Sequence, residues 1–197
     1  KQYVTLVGRG VIGVRANDGK LLWRYTRVGN TVANIPTVLI EGDYVFCSTA
    51  YDTGSALLKL EAKADGGIEA KEQYFLEANQ LQNKHGGMVL IDGYVYCGHG
   101  NGSGLPICVE MQTGKIAWGP VRGKGRGEAS VIAADGMLVI RYEDGVISFV
   151  QATPQQYQPV VDFKAEYQED QSWAYPAIAQ GKLYLREQDR IMCYGLQ

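Results

Sequence analysis

The sequence predicts an all-β fold, a partial β-propeller of four-stranded antiparallel blades, on three observations. A strand pattern returns at intervals of 41 to 50 residues, which is typical of propeller blades. The composition favours strands, with 25 glycines, 13 tyrosines and short apolar runs bounded by Gly, Asp and Asn. Helical periodicity is absent: the best candidate, residues 62–81, contains Asp65-Gly66-Gly67 and is predicted as strand, turn and strand. We therefore expect almost no helix.

The repeat is clearest in one strand that occurs five times. The five copies start at residues 3, 44, 94, 137 and 182 and read YVTL, YVFC, YVYC, MLVI and KLYL. Four of them follow a short apolar strand and a turn, as in the segment that runs from Met88 to Gly93. The turn glycine supplies the positive φ that a tight hairpin requires. Each pair is therefore predicted to be a β-hairpin.

The repeat divides one predicted domain, residues 1–197, into three complete units and two incomplete ones. The units cover about residues 1–30, 31–80, 81–125, 126–170 and 171–197. With strands lettered A to D from the channel outward, the first unit lacks strand A and the last lacks strand D. In a closed propeller such incomplete blades are completed by strands from the rest of the chain. An open array would leave sheet edges exposed, which favours aggregation. We expect further N-terminal blades and a natural protein roughly twice this length.

A third strand follows in every unit, and in two units it leads into the same turn. The two segments run from Val14 to Trp23 (VRANDGKLLW) and from Val109 to Trp118 (VEMQTGKIAW). They resemble the pyrroloquinoline-quinone-like (PQQ-like) repeat, whose usual pattern is Ala-x-Asp-x-x-Thr-Gly-x-x-x-Trp. The resemblance implies that Trp23 and Trp118 dock against the neighbouring blade. Two other units depart from the pattern, so weaker docking is expected there.

Charge and hydropathy exclude few functions. The net charge is −2 and 20% of the residues are charged, so neither nucleic acid nor an anionic membrane is indicated as a partner. No stretch approaches the ~20 apolar residues of a transmembrane helix. No signal-peptide pattern begins at residue 1.

The cysteines are predicted to be structural. Their spacing contains no CxxC pair and no adjacent pair, so a zinc site is not indicated. Cys47 and Cys97 share a repeat column with Leu6, Ile140 and Leu185, which predicts buried core thiols. Cys108 and Cys193 share a column with Gly13, Lys59 and Ser148, which predicts strand positions. We expect no disulfide.

The candidate binding residues lie in the loops that enter each innermost strand. These loops are expected to converge on one mouth of the channel, where ligands bind in such folds. The predicted ring consists of Asn34, His85, Glu128 and Trp173. Such a ring can bind a polar ligand or partner. The alternative is that these residues satisfy loop backbones and fill the channel.

Two glycine-rich loops extend this candidate surface. One carries Arg122, Lys124 and Arg126 between glycines, which suits an anion or an acidic peptide, or is a solvated connection. The other, residues 98–106, carries His99 and Asn101 and is longer than a hairpin needs, which suggests a function, or is a flexible turn tip. No catalytic triad and no metal-ligand set can be identified.

The resemblance extends to two groups within the PQQ-like repeat family. These are planctomycete-type secreted bacterial repeat proteins and the outer-membrane lipoprotein that scaffolds β-barrel assembly. Residues 96–102 (YCGHGNG) and 183–194 (LYLREQDRIMCY) look closer to the first group. The resemblance implies an exported protein, periplasmic or secreted.

The leading hypothesis is a non-catalytic binding or scaffold propeller with no evident cofactor, which engages a protein or polymer through its loop face. The alternative is a fragment of a PQQ-dependent alcohol or polyol dehydrogenase. The resemblance implies that such an enzyme holds PQQ and calcium, and several use an adjacent Cys-Cys disulfide that is absent here. A third class, a carbohydrate-binding or hydrolytic propeller, requires paired carboxylates, and Glu128 alone is insufficient.

Overall fold

The computed structural model describes residues 1–196 and is all-β, as the sequence predicts. These residues form eighteen strands and no helix, so this part of the chain contains no long apolar helix of the membrane-spanning kind. Gln197, the last residue of the predicted fifth unit, lies outside the described residues. The strands are β1 (Gln2–Val7), β2 (Gly10–Arg15), β3 (Leu21–Tyr25), β4 (Leu39–Glu41), β5 (Tyr44–Thr49), β6 (Gly54–Ala62), β7 (Ile68–Glu77), β8 (Val89–Ile91), β9 (Tyr94–His99), β10 (Leu105–Glu110), β11 (Ile116–Trp118), β12 (Ala129–Ala134), β13 (Met137–Tyr142), β14 (Val146–Gln151), β15 (Pro159–Lys164), β16 (Ala177–Ala179), β17 (Lys182–Glu187) and β18 (Arg190–Gly195).

The strands form five antiparallel sheets, here called blades 1 to 5, in which neighbours in sequence are neighbours in the sheet. Blades 2, 3 and 4 are four-stranded and consist of β4–β7, β8–β11 and β12–β15. Blade 1 (β1–β3) and blade 5 (β16–β18) have three strands each. Their pairing aligns blade 1 with strands B, C and D, and blade 5 with strands A, B and C.

The A–B hairpins close through turns of the type that the glycines predict. In blade 3, Asp92 and Gly93 both have positive φ angles, of 49° and 79°. Two successive positive φ angles define the type I′ turn, whose twist matches that of paired strands. The same feature recurs at Asp135–Gly136 and Gln180–Gly181.

The C–D pairs share a β-bulge at one equivalent point. The register shifts directly after four residues, one per blade: Gly13, Leu57, Cys108 and Phe149. Their partners on strand D are Trp23, Tyr74, Trp118 and Val161. A bulge fixes the local register. The four strand-D residues Trp23, Tyr74, Trp118 and Val161 therefore occupy equivalent places in their blades. We call this place the docking position.

Four apolar clusters lie between successive blades and hold them together. Between blades 2 and 3, for example, Phe46 and Leu57 pack with Val95 and Ile107, and all four are fully buried. Full burial of one such side chain contributes about 1.5–3 kcal/mol. The stability of each blade therefore depends on its neighbours, as in other repeat architectures.

The sequence aligns Tyr3 of blade 1 with Tyr94 of blade 3, and hence Val4 with Val95. The structure shows that this alignment is wrong by one residue. Val4 pairs with Gly13, the residue before the bulge, whereas in blade 3 Tyr96 pairs with Cys108 at that point. Val4 is therefore the equivalent of Tyr96. A slip of one residue exchanges the two faces of a strand, and the apolar residues of this short strand fall on both faces, so they do not identify which face is buried.

The predicted repeat columns change accordingly. Leu6 leaves the column of Cys47 and Cys97, and Thr5 takes its place. The register also places Leu57 and Phe149, instead of Lys59 and Ser148, in the column of Cys108 and Cys193. Cys47 and Cys97 are buried, as predicted. Burial raises the pKa of the Cys97 and Cys108 thiols to about 12.

Candidate binding surface at the channel mouth

The loops that enter strand A and the turns that join strands B and C lie at the same end of the blades. They contact one another there: the backbone N–H of Asp52 donates to Gln82 Oε1, and the N–H of Ser172 donates to the carbonyl of Glu143. We call this end the loop face. It comprises residues 26–38, 78–88, 119–128 and 165–176, with the B–C turns at 8–9, 50–53, 100–104, 143–145 and 188–189. The predicted binding residues lie on it, except His99, which is the last residue of β9 and borders it.

The loop face brings His85 together with Trp173, although 88 residues separate them. His85 Nε2 lies 2.7 Å from the carbonyl oxygen of Trp173, and the hydroxyl of Tyr175 donates to the carbonyl of His85 at 2.5 Å. The His85 ring packs edge-on against that of Tyr175 with centroids 5.5 Å apart. The entry loops of blades 3 and 5 are therefore fastened to each other.

The indole ring of Trp173 and the phenol ring of Tyr175 both remain accessible in this arrangement. Trp173 is 49% exposed and Tyr175 is 43% exposed. The indole N–H of Trp173 donates to Glu143 Oε1 at 3.1 Å, and Glu143 Oε2 accepts the backbone N–H of Glu128 at 3.0 Å. The two rings are thus exposed and held by polar contacts. Sequence reasoning missed Tyr175 and Glu143 as site residues because the contacts that orient them are long-range.

The close approach of these loops depends on the glycines that follow His85. Gly86 and Gly87 have φ angles of +86° and +61°, which other residues rarely adopt. A Cβ at Gly87 would lie 2.6 Å from the backbone nitrogen of Val131, and one at Gly86 would collide with the Tyr175 hydroxyl. The backbones meet directly here, because the N–H of Val131 donates to the carbonyl of Gly87 at 2.9 Å.

Asn83 fixes the same loop from below. It is 1% exposed, donates to the carbonyl of Gly98 at 2.8 Å and accepts the N–H of Gly86 at 2.8 Å. Its own N–H donates to the hydroxyl of Ser48 at 3.0 Å. A buried amide with all these partners rigidifies a loop. The sequence signal that indicates it is an asparagine three residues before the Gly86-Gly87 pair, since asparagine side chains commonly bond to the backbone of nearby loop residues.

A buried carboxylate lies beside this loop. Glu128 is 4% exposed, and its Oε1 lies 3.2 Å from Lys84 Nζ, which is an ion-pair distance. The ammonium group of Lys84 thus compensates the buried carboxylate, whereas the buried Ser130 Oγ has no hydrogen-bond partner among the described residues. Burial lowers the pKa of Lys84, but the carboxylate of Glu128 outweighs it and the net pKa is raised. Lys84 therefore stays charged. We call Lys84, His85, Glu128, Glu143, Trp173 and Tyr175 the mouth cluster.

Asn34 is on the loop face and makes its shorter hydrogen bonds within its own loop. Its side chain accepts the backbone N–H of Asn30 at 3.0 Å and donates to the carbonyl of Asn30 at 2.9 Å. This geometry agrees with the alternative in which such residues satisfy loop backbones. Asn34 also donates to the carbonyl of Gly8 in the B–C turn of blade 1 at 3.5 Å, and it makes no hydrogen bond to His85 or Trp173 within the described residues.

The three cations of the glycine-rich loop, Arg122, Lys124 and Arg126, are exposed. The glycines between them pack against the ring of Tyr142. Arg126 lines a shallow cleft of about 470 Å³ whose other walls include four carboxylates, those of Glu143, Asp144, Glu169 and Asp170. Because acidic groups dominate this cleft, it does not favour an anion.

Asn101 belongs to the long B–C turn of blade 3, and His99 is the last residue of β9, directly before that turn. The half-buried His99 accepts the backbone N–H of Gln82 at its Nδ1, 3.3 Å away, and burial lowers its pKa. A neutral ring that accepts a backbone hydrogen bond is a loop support. Asn101 is exposed at the tip of the turn. Within residues 1–196, no group of three or more His, Cys, Asp or Glu side chains is arranged to hold a metal ion.

The docking position is filled by an aromatic ring in three blades. Trp23 and Trp118 are 5% and 8% exposed, and the indole N–H of Trp118 donates to the carbonyl of Thr153 in the next blade at 2.7 Å. In blade 2 the ring is Tyr74, whose hydroxyl donates to the carbonyl of Met111 in blade 3 at 2.6 Å. Sequence reasoning missed Tyr74 because the motif specifies tryptophan.

Comparison with known proteins supports the fold. No protein-family model and no curated protein sequence match the chain. BamB from Moraxella catarrhalis is similar in structure, with a TM-score of 0.66 and 13% identity over 98% of this chain and 54% of BamB. The computationally designed Ika8 protein is also similar, with a TM-score of 0.54 and 12% identity over 99% of this chain and 67% of Ika8. The chain spans about half the length of BamB, and its fold is a partial β-propeller of the PQQ-like type.

Proposed function

We propose that this propeller is a non-catalytic binding or scaffold protein that engages a protein or polymer partner through its loop face, with the mouth cluster at the centre. The likeness to BamB supports a scaffold or binding role in general terms. The observation that carries the proposal is the pair of accessible rings, Trp173 and Tyr175, held in place by hydrogen bonds to other loops.

Rigid exposed aromatic side chains are typical anchors of protein interfaces. A ring that is already ordered loses little entropy on binding, and tryptophan and tyrosine dominate interface hot spots. Trp173 is fastened through both its indole N–H and its carbonyl oxygen. Its exposed face is therefore available without rearrangement of the loop.

A largely buried ion pair beside the rings adds a polar feature to this surface. Lys84 Nζ lies 3.2 Å from Glu128 Oε1, and the lysine side chain is 28% exposed whereas the glutamate side chain is 5% exposed. Because a buried polar group is normally paired, the accessible member of this pair is the ammonium group of Lys84. We propose that a polar group of the partner, or a bridging water, contacts the pair at Lys84.

We further propose that the protein acts outside the cytoplasm. The resemblance of residues 96–102 and 183–194 to secreted PQQ-like repeat proteins supports an exported location. The glycine-rich cations Arg122, Lys124 and Arg126, and the turn with His99 and Asn101, are proposed to form the rim of the binding surface because they lie exposed or half-exposed on the same face.

The test compares partner capture by the wild-type chain with capture by Trp173→Ala and Tyr175→Ala. Envelope extracts are passed over each immobilised protein, and bound proteins are quantified by mass spectrometry. We expect both variants to recover at least about tenfold less of the specific partner than wild type, as the removal of a hot-spot residue does. The matched control is Tyr3→Ala, since Tyr3 is 59% exposed but lies on strand β1, away from the loop face.

Equal recovery by wild type and the two mouth variants, with unchanged circular dichroism, would exclude the mouth cluster as the binding site. The competing dehydrogenase function makes a separate prediction. It requires tight, stoichiometric binding of PQQ in the presence of calcium, which calorimetric titration of the full-length protein measures. Such binding would replace the scaffold proposal with an oxidoreductase.

A further inference from the structure

The junction between blades 4 and 5 differs from the other three at the docking position. Trp23, Tyr74 and Trp118 fill that position in blades 1, 2 and 3, whereas blade 4 has Val161. Val161 is 51% exposed. A valine is far smaller than an indole or phenol ring, so this junction lacks the volume that the aromatic ring supplies elsewhere.

The filled junctions show what the position accommodates. The Tyr74 ring covers Gly114 of the next blade, and its hydroxyl meets the carbonyl of Met111. The Trp118 ring lies 5.6 Å from the ring of Tyr157 and donates to a carbonyl of the next blade. In both cases a flat ring lies over the next blade and its polar end meets a backbone carbonyl.

At the junction of blades 4 and 5 the same place is an open cleft of about 500 Å³, a volume in the range of small-molecule sites. Its walls are mostly apolar and comprise residues of both blades: Ala134, Asp135, Met137, Val139, Phe149, Val161, Phe163, Ile178, Leu183, Tyr194, Gly195 and Leu196. Val139 and Leu183 also belong to the buried core between the two blades. The cleft therefore continues an interface that already exists.

Leu196 directly follows β18, as Met111 directly follows β10. It lines the cleft, so the backbone just beyond strand C is again beside the docking position. Asp135 belongs to the A–B turn of blade 4, at the opposite end of the blade from the mouth cluster. The cleft and the proposed loop-face function are thus independent of each other.

We propose that this cleft binds a tryptophan side chain of a partner polypeptide, which takes the docking position that Val161 leaves open. At the other three junctions the ring that fills the docking position belongs to an extended strand, strand D. A partner segment that presents a tryptophan from an extended backbone would therefore imitate these junctions. Strand β15 is the outermost strand of blade 4, so its outer edge has unpaired backbone groups within reach of a polypeptide. A partner segment can therefore add backbone hydrogen bonds to the aromatic contact.

The test uses the 197-residue chain and two blocked tripeptides, acetyl-Gly-Trp-Gly-amide and acetyl-Gly-Leu-Gly-amide. Binding is followed by NMR through the methyl groups of Met137, Val161 and Leu183, which line the cleft. A single aromatic anchor is expected to give a dissociation constant on the order of 1 mM. The leucine peptide is expected to bind at least about fivefold more weakly, since it buries less apolar area.

Variants at neighbouring positions give a matched comparison. Val161→Trp fills the cleft from within and is expected to weaken binding of the tryptophan peptide at least about tenfold. Val161→Phe, a smaller change that keeps the test decisive if the tryptophan variant fails to fold, is expected to weaken it severalfold. Val160→Trp is the control, because Val160 is 61% exposed and does not line the cleft, and binding should be retained.

Three results would overturn the proposal. The first is no methyl shift with the tryptophan peptide at about ten times the expected dissociation constant. The second is unchanged peptide binding in a folded Val161 variant. The third is binding of free indole while the tryptophan peptide is excluded, which would assign the cleft to a small aromatic compound. Failure of the loop-face experiment would leave these outcomes unaffected.

Discussion

At Gly114 the repeat motif meets the docking ring of the preceding blade. Gly114 has a φ of +71°, and a Cβ there would lie 2.9 Å from the Tyr74 ring. Gly19 holds the equivalent place in the motif of blade 1, with a φ of +72°, but no atom lies within 4 Å of its Cβ position. The two glycines have the same backbone conformation and differ only in whether a ring lies over them.

We predict that Gly114→Ala destabilises the protein more than Gly19→Ala. The left-handed backbone alone costs about 1 kcal/mol with alanine, and this applies to both variants. Gly114→Ala also forces the Tyr74 ring to move, which adds about 1–3 kcal/mol. Urea denaturation measures both. Equal losses would show that the glycine of this motif serves only the turn and not the docking of Tyr74.

Single residues could be predicted from the sequence where a motif specifies the residue type. Trp23 and Trp118 stand in such motifs and are buried between blades. Tyr74 could not be identified, because blade 2 has a longer C–D hairpin and a tyrosine in place of the tryptophan. Its equivalence depends on the bulge after Leu57, which is a feature of pairing and not of residue spacing.

At the scale of elements, an ion pair joins strand B of blade 4 to strand B of blade 5. Arg141 Nη2 lies 2.8 Å from Glu187 Oε2, and both side chains are at most 1% exposed. The second terminal nitrogen of the same guanidinium group, Arg141 Nη1, donates to the carbonyl of Ala174 at 2.6 Å. The hydroxyl of Ser172 donates to the carboxylate of Glu187. Since these partners flank Trp173, the pair also supports the segment that presents the indole ring.

We predict that Glu187→Ala lowers the free energy of unfolding by about 3–5 kcal/mol, because Arg141 is left buried and unpaired. The double variant Arg141→Met/Glu187→Leu should recover most of this loss, since an apolar pair of similar volume needs no charge partner. Asp18→Ala is the control: its exposed pair with Arg15 is expected to contribute less than about 1 kcal/mol. Chemical denaturation measures all three. A similar loss for Glu187→Ala and Asp18→Ala would contradict the assigned role.

The elements themselves are largely predictable. Short apolar runs and Gly-containing turns indicate the A–B hairpins, and the positive φ angles of Gly93 and Gly136 agree with this. The alignment of β1 could not be derived, because apolar Val4, Leu6 and Val7 fit either face of a short strand. The ion pair was also missed, since its two residues belong to different repeats and only assembly of the blades brings them together.

At the scale of the whole molecule, the mouth cluster arises from contacts between distant repeats. The sequence places Asn34, His85, Glu128 and Trp173 on one face through their common position in the repeat. It does not reveal that His85 bonds to Trp173 while Asn34 bonds to its own loop. Those pairings depend on the angle between blades, which no spacing along the chain encodes.

The outer faces of blades 1 and 5 carry apolar side chains that no blade covers in this part of the chain. Tyr3 and Leu21 are 59% and 47% exposed in blade 1, and Ile191 is 73% exposed in blade 5. Cys193 lies on the same face of blade 5 in the column of Cys108, which blade 4 buries. We propose that further blades of a longer natural protein cover these faces, as the repeat predicts.

If further blades close the ring, the reactivity of the Cys193 thiol measures that closure. In the 197-residue chain, a thiol reagent at pH 8 is expected to modify Cys193 rapidly, because it is exposed, and to leave Cys47, Cys97 and Cys108 intact, because they are buried. In a longer natural protein, an N-terminal blade that ring closure brings beside blade 5 should bury Cys193 as blade 4 buries Cys108, and the modification rate of Cys193 should fall at least about a hundredfold. Rapid modification of Cys193 in the full-length protein, or a native mass there equal to the 21.6 kDa of this chain, would contradict closure by further blades. Slow modification in a folded, heavier monomer would show that the face of blade 5 is an interblade surface.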